Sequence, residues 1–266
     1  MKKLFLAIGI IGLISACTTN AVTGRKGINF VGNGTIFPQS FSQYREVLNS
    51  AKVETGTANS KLVQTVGERI KYAAEKYYSE KGLSSQLSDY EWEFKLLQAN
   101  EVNAWCMPGG KVAVYTGILP ITQNSNGLAV VMGHEIGHAL ANHSAQQMSQ
   151  QQGLSVLGSV VGATAGKSNW GAAFEKYYPM VGQIGLLKYS RNMELDADLT
   201  GLYLMAMAGY DPSAAIPFWE RMSQAGSGGT VEFLSTHPSD ATRIAKIKEA
   251  LPTALAYYNA SPYKGK

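Results

Sequence analysis

Apolar positions first settle into a helical rhythm at Leu62, Val66, Ile70, Ala73 and Tyr77, which predicts a helix opening near Asn59 and closing at Lys81-Gly82. The period then shortens to two. Tyr90 to Leu97 (YEWEFKLL) alternates aromatic and charged residues, the pattern of a half-buried strand. Pro108-Gly109-Gly110 marks a turn before KVAVYTGIL, a second strand within Val102 to Leu119. Asn124-Ser125-Asn126 is placed to cap a third, strongly apolar segment, read as a helix running to about Gln152. Residues 153–166 (GLSVLGSVVGATAG) predict a tightly packed helix too short to cross a membrane. Met193 to Ala208 reads as a helix stopped by Gly209 and Asp211-Pro212, and Pro212 opens another through Trp219. A Gly/Ser-rich loop at Ala225 to Gly229 precedes a last helix from near Ser239 that carries Ile244, Ile247 and Leu251. Residues 18–55 are rich in Thr, Asn, Gly and Ser with few periodic apolar positions, and read as a tether that wraps the fold.

With 266 residues, 45% of them apolar, the chain is long enough for one good-sized domain plus appendages. The organisation expected is a leader at 1–16, a tether at 17–55 and one domain at 56–266. The leader has Lys2 and Lys3 before an apolar run from Leu4 to Ala16, too short to span a bilayer, which is the plan of a signal peptide. Its end, Ile14-Ser15-Ala16-Cys17, resembles the bacterial lipobox, so Cys17 is the expected lipidation site and acyl chains there the expected membrane anchor. By resemblance to the bacterial sorting pattern, Thr18 rather than Asp after that cysteine favours the outer membrane facing the periplasm, in a host that has one. Loss of Lys2 and Lys3 with the leader takes the net charge from +4 to +2, which gives no basis for a nucleic-acid partner. Cys106, in NAWCMPGG, has no local base and reads as a strand residue.

Three of the four histidines lie in VVMGHEIGHALANH, residues 130–143. His134 and His138 are four apart, so their side chains fall about 40° apart on one helix face, where two imidazoles can reach one metal. Glu135 points to the side of that pair, where a general base for a metal-activated water belongs. This is the H-E-x-x-H zinc motif on a helix with apolar surroundings. Unpartnered histidines on so apolar a helix would be costly to bury.

A catalytic zinc keeps three protein ligands. Position 144, where one zincin class places a third histidine, is Ser. His143 would sit about 140° round an unbroken helix and is given a structural or supporting role, bonding to a neighbouring helix. The carboxylates of SRNMELDADLTGLYLM remain. Glu194 and Asp198 share a face at i, i+4, while Asp196 points away. Two buried carboxylates side by side repel unless a cation neutralises them, which makes Glu194 a ligand and Asp198 the acceptor that orients a ligand imidazole.

Together, GHEIGHALANH (133–143), YSRNMELDADLTGLYLMAMAGYDP (189–212), STHPSDATRI (235–244) and NAWCMPGGKVAVYTGIL (103–119) resemble the M48 family of metallopeptidases, in its bacterial lipoprotein and periplasmic branch. The resemblance implies an α+β, mainly helical gluzincin core with a small β-sheet whose edge strand lines the active-site cleft. It implies one Zn2+ per chain on His134, His138 and Glu194, with Glu135 as catalytic base. His237 would lie over the site, stabilising an oxyanion or occupying the open metal position at rest, with Gly226, Gly228 and Gly229 letting its loop move. Arg243 would hold that loop or a nearby carboxylate. The edge strand, with Asn103 and Ala104, would bind extended polypeptide through its backbone. The function expected is a zinc endopeptidase of the bacterial cell envelope acting on unfolded or misassembled proteins. The rival reading is a chaperone-like factor, tied to envelope assembly machinery, whose zinc site is largely closed.

Overall fold

The computed structural model describes residues 17–150, 189–227, 231–238 and 241–266. The leader, the helix expected at 153–166, and Gly228, Gly229 and Ser239 lie outside them.

The fold is mainly helical, as expected. A hairpin of β1 (Cys17–Thr19) and β2 (Lys26–Ile28) leads to α1 (Asn33–Ser50), then β3 (Val53–Glu54) and α2 (Ala58–Glu80). The segment at 17–55 is thus folded, not a plain tether. In α1, Ile36, Phe37, Ser40 and Tyr44 are buried despite Pro38 inside the helix. Packing supplies what local propensity does not. In α2, Thr57 caps the N-terminus by accepting from Ser60 N–H, and Val63, Val66, Ile70, Ala73 and Ala74 form the buried stripe.

The main sheet holds β3, β4 (Glu93–Leu97), β6 (Lys111–Tyr115) and β5 (Ala104–Met107), in that order. β5 and β6 form an antiparallel hairpin through Gly109 and Gly110, both at positive φ, and β4 runs parallel to β6. The second strand expected to reach Leu119 stops at Tyr115, where Thr116–Ile118 tightens into a 3-10 turn. β5, with Cys106 in it, is the edge strand. Its unpaired edge is partly covered: just ahead of it Phe233 N–H donates to Val102 C=O at 3.1 Å, and the Cys106 backbone hydrogen-bonds to Glu135.

Behind the sheet lies α3 (Ser125–Leu140), capped by Asn124 accepting from Gly127 N–H. α3 does not run to Gln152. It ends at Leu140 with Ala141 as its C-cap, and Asn142 takes a positive φ of 56° before residues 143–150 resume as a helix. Asn tolerates that left-handed conformation better than most side chains.

α3 lies against α4 (Arg191–Met207). A Cβ on Gly201 would come within 2.5 Å of the Gly133 backbone, and one on Gly137 within 2.8 Å of Ala197 O. The helices therefore meet backbone to backbone at two points one turn apart, which only residues without or with minimal side chains permit. α5 (Ala215–Ser227), the short α6 (Glu232–Thr236) and α7 (Ala241–Ala260) close the far side. α5 extends through Ala225–Ser227, where a loop was expected. The main core between α2, the sheet, α3 and α4 holds Ile70, Phe94, Val112, Val114, Leu128, Val131, Leu204 and Phe218, among others. Full burial of each such side chain contributes about 1.5–3 kcal/mol.

Candidate metal centre

α3 and α4 bring two acid-base pairs of helix positions face to face. His134 and His138 project from α3; Glu194 and Asp198 project from α4; all four are buried. His237, at the end of α6, closes the cluster and is buried too.

One potential ligand atom from each of His134, His138, Glu194 and His237 lies within 4.8 Å of all the others. Several individual spacings, taken over both Glu194 oxygens, are shorter. His134 Nε2 is 3.1 Å from His138 Nε2, 3.2 Å from His237 Nδ1 and 3.5 Å from Glu194 Oε2. Glu194 Oε1 is 3.5 Å from His138 Nε2 and 3.1 Å from His237 Nδ1. Four donors at 2.0–2.1 Å around a tetrahedral zinc stand about 3.3 Å apart, so this donor set has the size and chemistry of a zinc site. A second sign is the orphaned polarity. Glu135 Oε1 and Glu194 Oε2 are buried without a hydrogen bond. Arg243 Nη1 stands 3.0 Å from Glu194 Oε2, close enough for charge attraction but not aligned to donate. Buried carboxylate oxygens without donors are costly unless a cation faces them.

The protonation balance fits the same picture. Burial pushes the Glu135 carboxyl above its usual range, and His237 and His134 only partly offset it. Burial and neighbouring positive charge hold His138 well below the ordinary imidazole value, which keeps it neutral with a lone pair to give. Burial works against the Glu194 and Asp198 carboxylates, but His237 and Arg243 respectively outweigh it and hold both low, Asp198 at about 2.

Asp198 Oδ1 lies 2.9 Å from His134 Nδ1. Arg243 donates to both Asp198 oxygens, Nε to Oδ2 and Nη2 to Oδ1, each at 2.7 Å. It also donates from Nη1 to the carbonyls of His237 and Pro238 at 3.4 and 3.0 Å and stacks over Trp219 at 4.0 Å. It therefore holds both the carboxylate and the loop between which the sequence left its role open.

The break at Asn142 returns His143 to the site. Its Nδ1 is 3.0 Å from His138 Nδ1, and its Nε2 is 3.1 Å from Asp196 Oδ2 on the neighbouring helix α4. Asp196 does point away from the cluster, but into a buried polar pocket. Sequence reasoning passed over it. The available signal was an acid on a helix too apolar to leave it solvated, which demands a partner. Tyr189 was also missed: its ring stacks on His138 with centroids 4.0 Å apart, and its hydroxyl is 2.9 Å from Ser144 Oγ. Phe233 stacks on His237 and Trp219 packs edge-on against His134, so aromatic rings wall the cluster. Asn103 lies just before β5 and Ala104 opens it, and both are buried.

Comparison with known proteins agrees with this geometry. The sequence profile of peptidase family M48 matches residues 66–251. The mitochondrial metalloendopeptidase OMA1 of Schizosaccharomyces pombe is 40% identical over 172 residues, covering 64% of this chain and 50% of that protein. The metalloprotease YcaL of Escherichia coli is 25% identical over 257 residues, covering 94% of this chain and 97% of its own length. The β-barrel assembly-enhancing protease of Escherichia coli is 30% identical over 165 residues, covering 59% of this chain and 34% of that protein. The chain spans about half the length of the two yeast OMA1 relatives it matches.

Proposed function

The chain belongs to peptidase family M48, and on that premise we propose that it is a zinc-dependent endopeptidase of the bacterial cell envelope. The observation that carries this is the buried cluster of four donor atoms within 4.8 Å of one another, with Glu135 Oε1, which has no hydrogen-bond partner, at its rim. His134, His138 and Glu194 would hold the zinc, which when bound would supply Lewis acidity to a peptide carbonyl and lower the pKa of water. Glu135 Oε1 accepts the proton of the attacking water and delivers it to the leaving amine; its raised affinity for protons suits a base that must also act as an acid. Asp198 fixes the ring of His134, and Arg243 fixes Asp198. The aromatic walls keep bulk water out. Polypeptide would add through its main chain to the unpaired edge of β5, taking the place of Phe233 N–H on the Val102 carbonyl.

The envelope setting and the choice of unfolded or misassembled proteins rest on sequence and kinship: the ISAC sequence before Thr18, and a relative named for enhancing β-barrel assembly. Lipid on Cys17, at the end of that ISAC sequence, is the proposed anchor; no helix among the described residues is long and apolar enough to cross a membrane.

The test is casein degradation by the wild type, by Glu135→Gln and by chelator-treated protein. Cleavage by the wild type alone supports the proposal; equal cleavage by Glu135→Gln removes Glu135 as the base. A second reading, the chaperone-like assembly factor, is favoured by one observation: His237 Nδ1 lies 3.2 Å from His134 Nε2, inside the donor cluster, where it would fill the fourth metal position. With His237→Ala, a rise in proteolysis assigns His237 to closing the site; a loss assigns it to the oxyanion, its Nε2 standing 3.5 Å from Glu135 Oε1.

A further inference from the structure

We propose that the N-terminal hairpin is part of the metal centre: through Asn20 and Thr23 it sets which oxygen of Asp196 faces His143, and so which nitrogen of His138 carries a proton. This rests on the zinc reading of the cluster above.

The chain of contacts is continuous and buried. Between β1 and β2, Asn20 Nδ2 donates to Asp196 Oδ1 at 3.1 Å and to Thr200 Oγ1 at 2.9 Å. Asn20 cannot turn its amide round, because its own Oδ1 accepts from Val22 N–H at 2.9 Å. Thr23 Oγ1 also donates to Asp196 Oδ1. Two neutral donors thus pin Oδ1 to the hairpin and leave Oδ2 to His143 Nε2 at 3.1 Å, with Arg25 Nη1 at 3.6 Å. A carboxylate only accepts, so it calls for a proton on His143 Nε2. That leaves His143 Nδ1 as an acceptor, 3.0 Å from His138 Nδ1, and puts the proton of His138 on Nδ1. The lone pair of His138 Nε2 then faces the cluster, which is the form a metal requires. Arg25 Nη1, 3.4 Å from His143 Nε2, would favour the opposite arrangement if Asp196 were absent.

His134 has its own carboxylate, Asp198, on the other side of the same helix. The two histidines are therefore oriented independently, His134 from α7 through Arg243 and His138 from the hairpin. Asp196, Asn20, Thr23 and His143 are positioning residues; none touches the donor atoms.

Asp196→Asn gives a test that plain structural loss cannot imitate. Asn20 and Thr23 donate to Oδ1, so the new amide keeps its oxygen there and turns its NH2 toward His143. The relay reverses, and His138 presents a proton to the cluster. Zinc affinity of the full chain in detergent, measured by competition with a chromophoric chelator, is expected to fall by about 10–100-fold. The visible spectrum of the cobalt-loaded protein should shift, while circular dichroism and melting of the metal-free protein stay near wild type. Adding Asn20→Ala and Thr23→Ala to Asp196→Asn frees the amide to rotate and offer its oxygen to His143, so affinity should recover. Zinc affinity within twofold of wild type in Asp196→Asn overturns the relay. A loss that Asn20→Ala and Thr23→Ala deepen rather than relieve overturns the role given to the hairpin. Absence of zinc binding by the wild type would instead sink the metal reading on which the inference stands.

Discussion

Arg243 Nε and Nη2 grip the two oxygens of Asp198 at 2.7 Å each, with neither side chain open to solvent. The pair is bidentate, and its carboxylate half also orients His134. Removing the cation strands Asp198, and leaves Glu194 with less compensating charge. Breaking a buried pair from one side costs about 3–5 kcal/mol. Arg243→Ala should therefore lower the unfolding free energy of the metal-free protein, measured by urea titration, by that much. Arg243→Lys should recover less than half, because one ammonium cannot make both bonds. A midpoint unchanged in Arg243→Ala would show that the pair contributes nothing to stability.

Metal content separates ligands from base. The wild type is expected to carry one zinc per chain by elemental analysis. His134→Ala and Glu194→Ala should lose stable binding, whereas Glu135→Gln should retain it while losing peptidase activity. Full zinc in Glu194→Ala would remove Glu194 from the ligand set.

Gly201 is the most constrained glycine of the site. Its added Cβ would meet the Gly133 carbonyl carbon at 2.5 Å and His134 N at 2.6 Å, both main-chain atoms that cannot rotate away. Gly201→Ala should destabilise the fold by about 1–3 kcal/mol as overpacking, and should weaken zinc binding because it pushes α4 from the histidines. Gly34→Ala, where no atom lies within reach of the new methyl, is the control. Equal melting temperatures for the two variants would contradict the contact.

Cys17 opens the hairpin, exposed and in register with Ile28, which is itself 48% exposed. Cys17→Ser should move the protein from the membrane fraction to the soluble one. Retention in membranes after a high-salt wash would point to another anchor.

The metal-bearing half of the site was legible because it is written in local periods. A spacing of four puts His134 beside His138 and Glu194 beside Asp198, whatever the rest of the chain does. The supporting half was not. Asp196 lies only two residues from each of those acids, and its partner His143 comes back to the site because Asn142 breaks a helix whose composition would carry it onward. The hairpin strands are three residues each, too short for alternation to register, and their importance lies in contacts some 175 residues distant in sequence. α1 carries a readable stripe from Ile36 to Tyr44, masked by Pro38 and by serines and glutamines that only packing turns helical. The close approach of Gly133 to Gly201 needs both helices to be seen together.

That approach also limits how the site can open. Contacts at Gly133–Gly201 and at Gly137–Ala197 make a joint fixed at two points, and such a joint has no pivot. The histidines of α3 and the carboxylates of α4 then move as one rigid jaw. In the peptidase proposed above, widening of the site would then fall to the opposite side, the segment carrying His237, which Arg243 ties to that joint through its two carbonyl contacts.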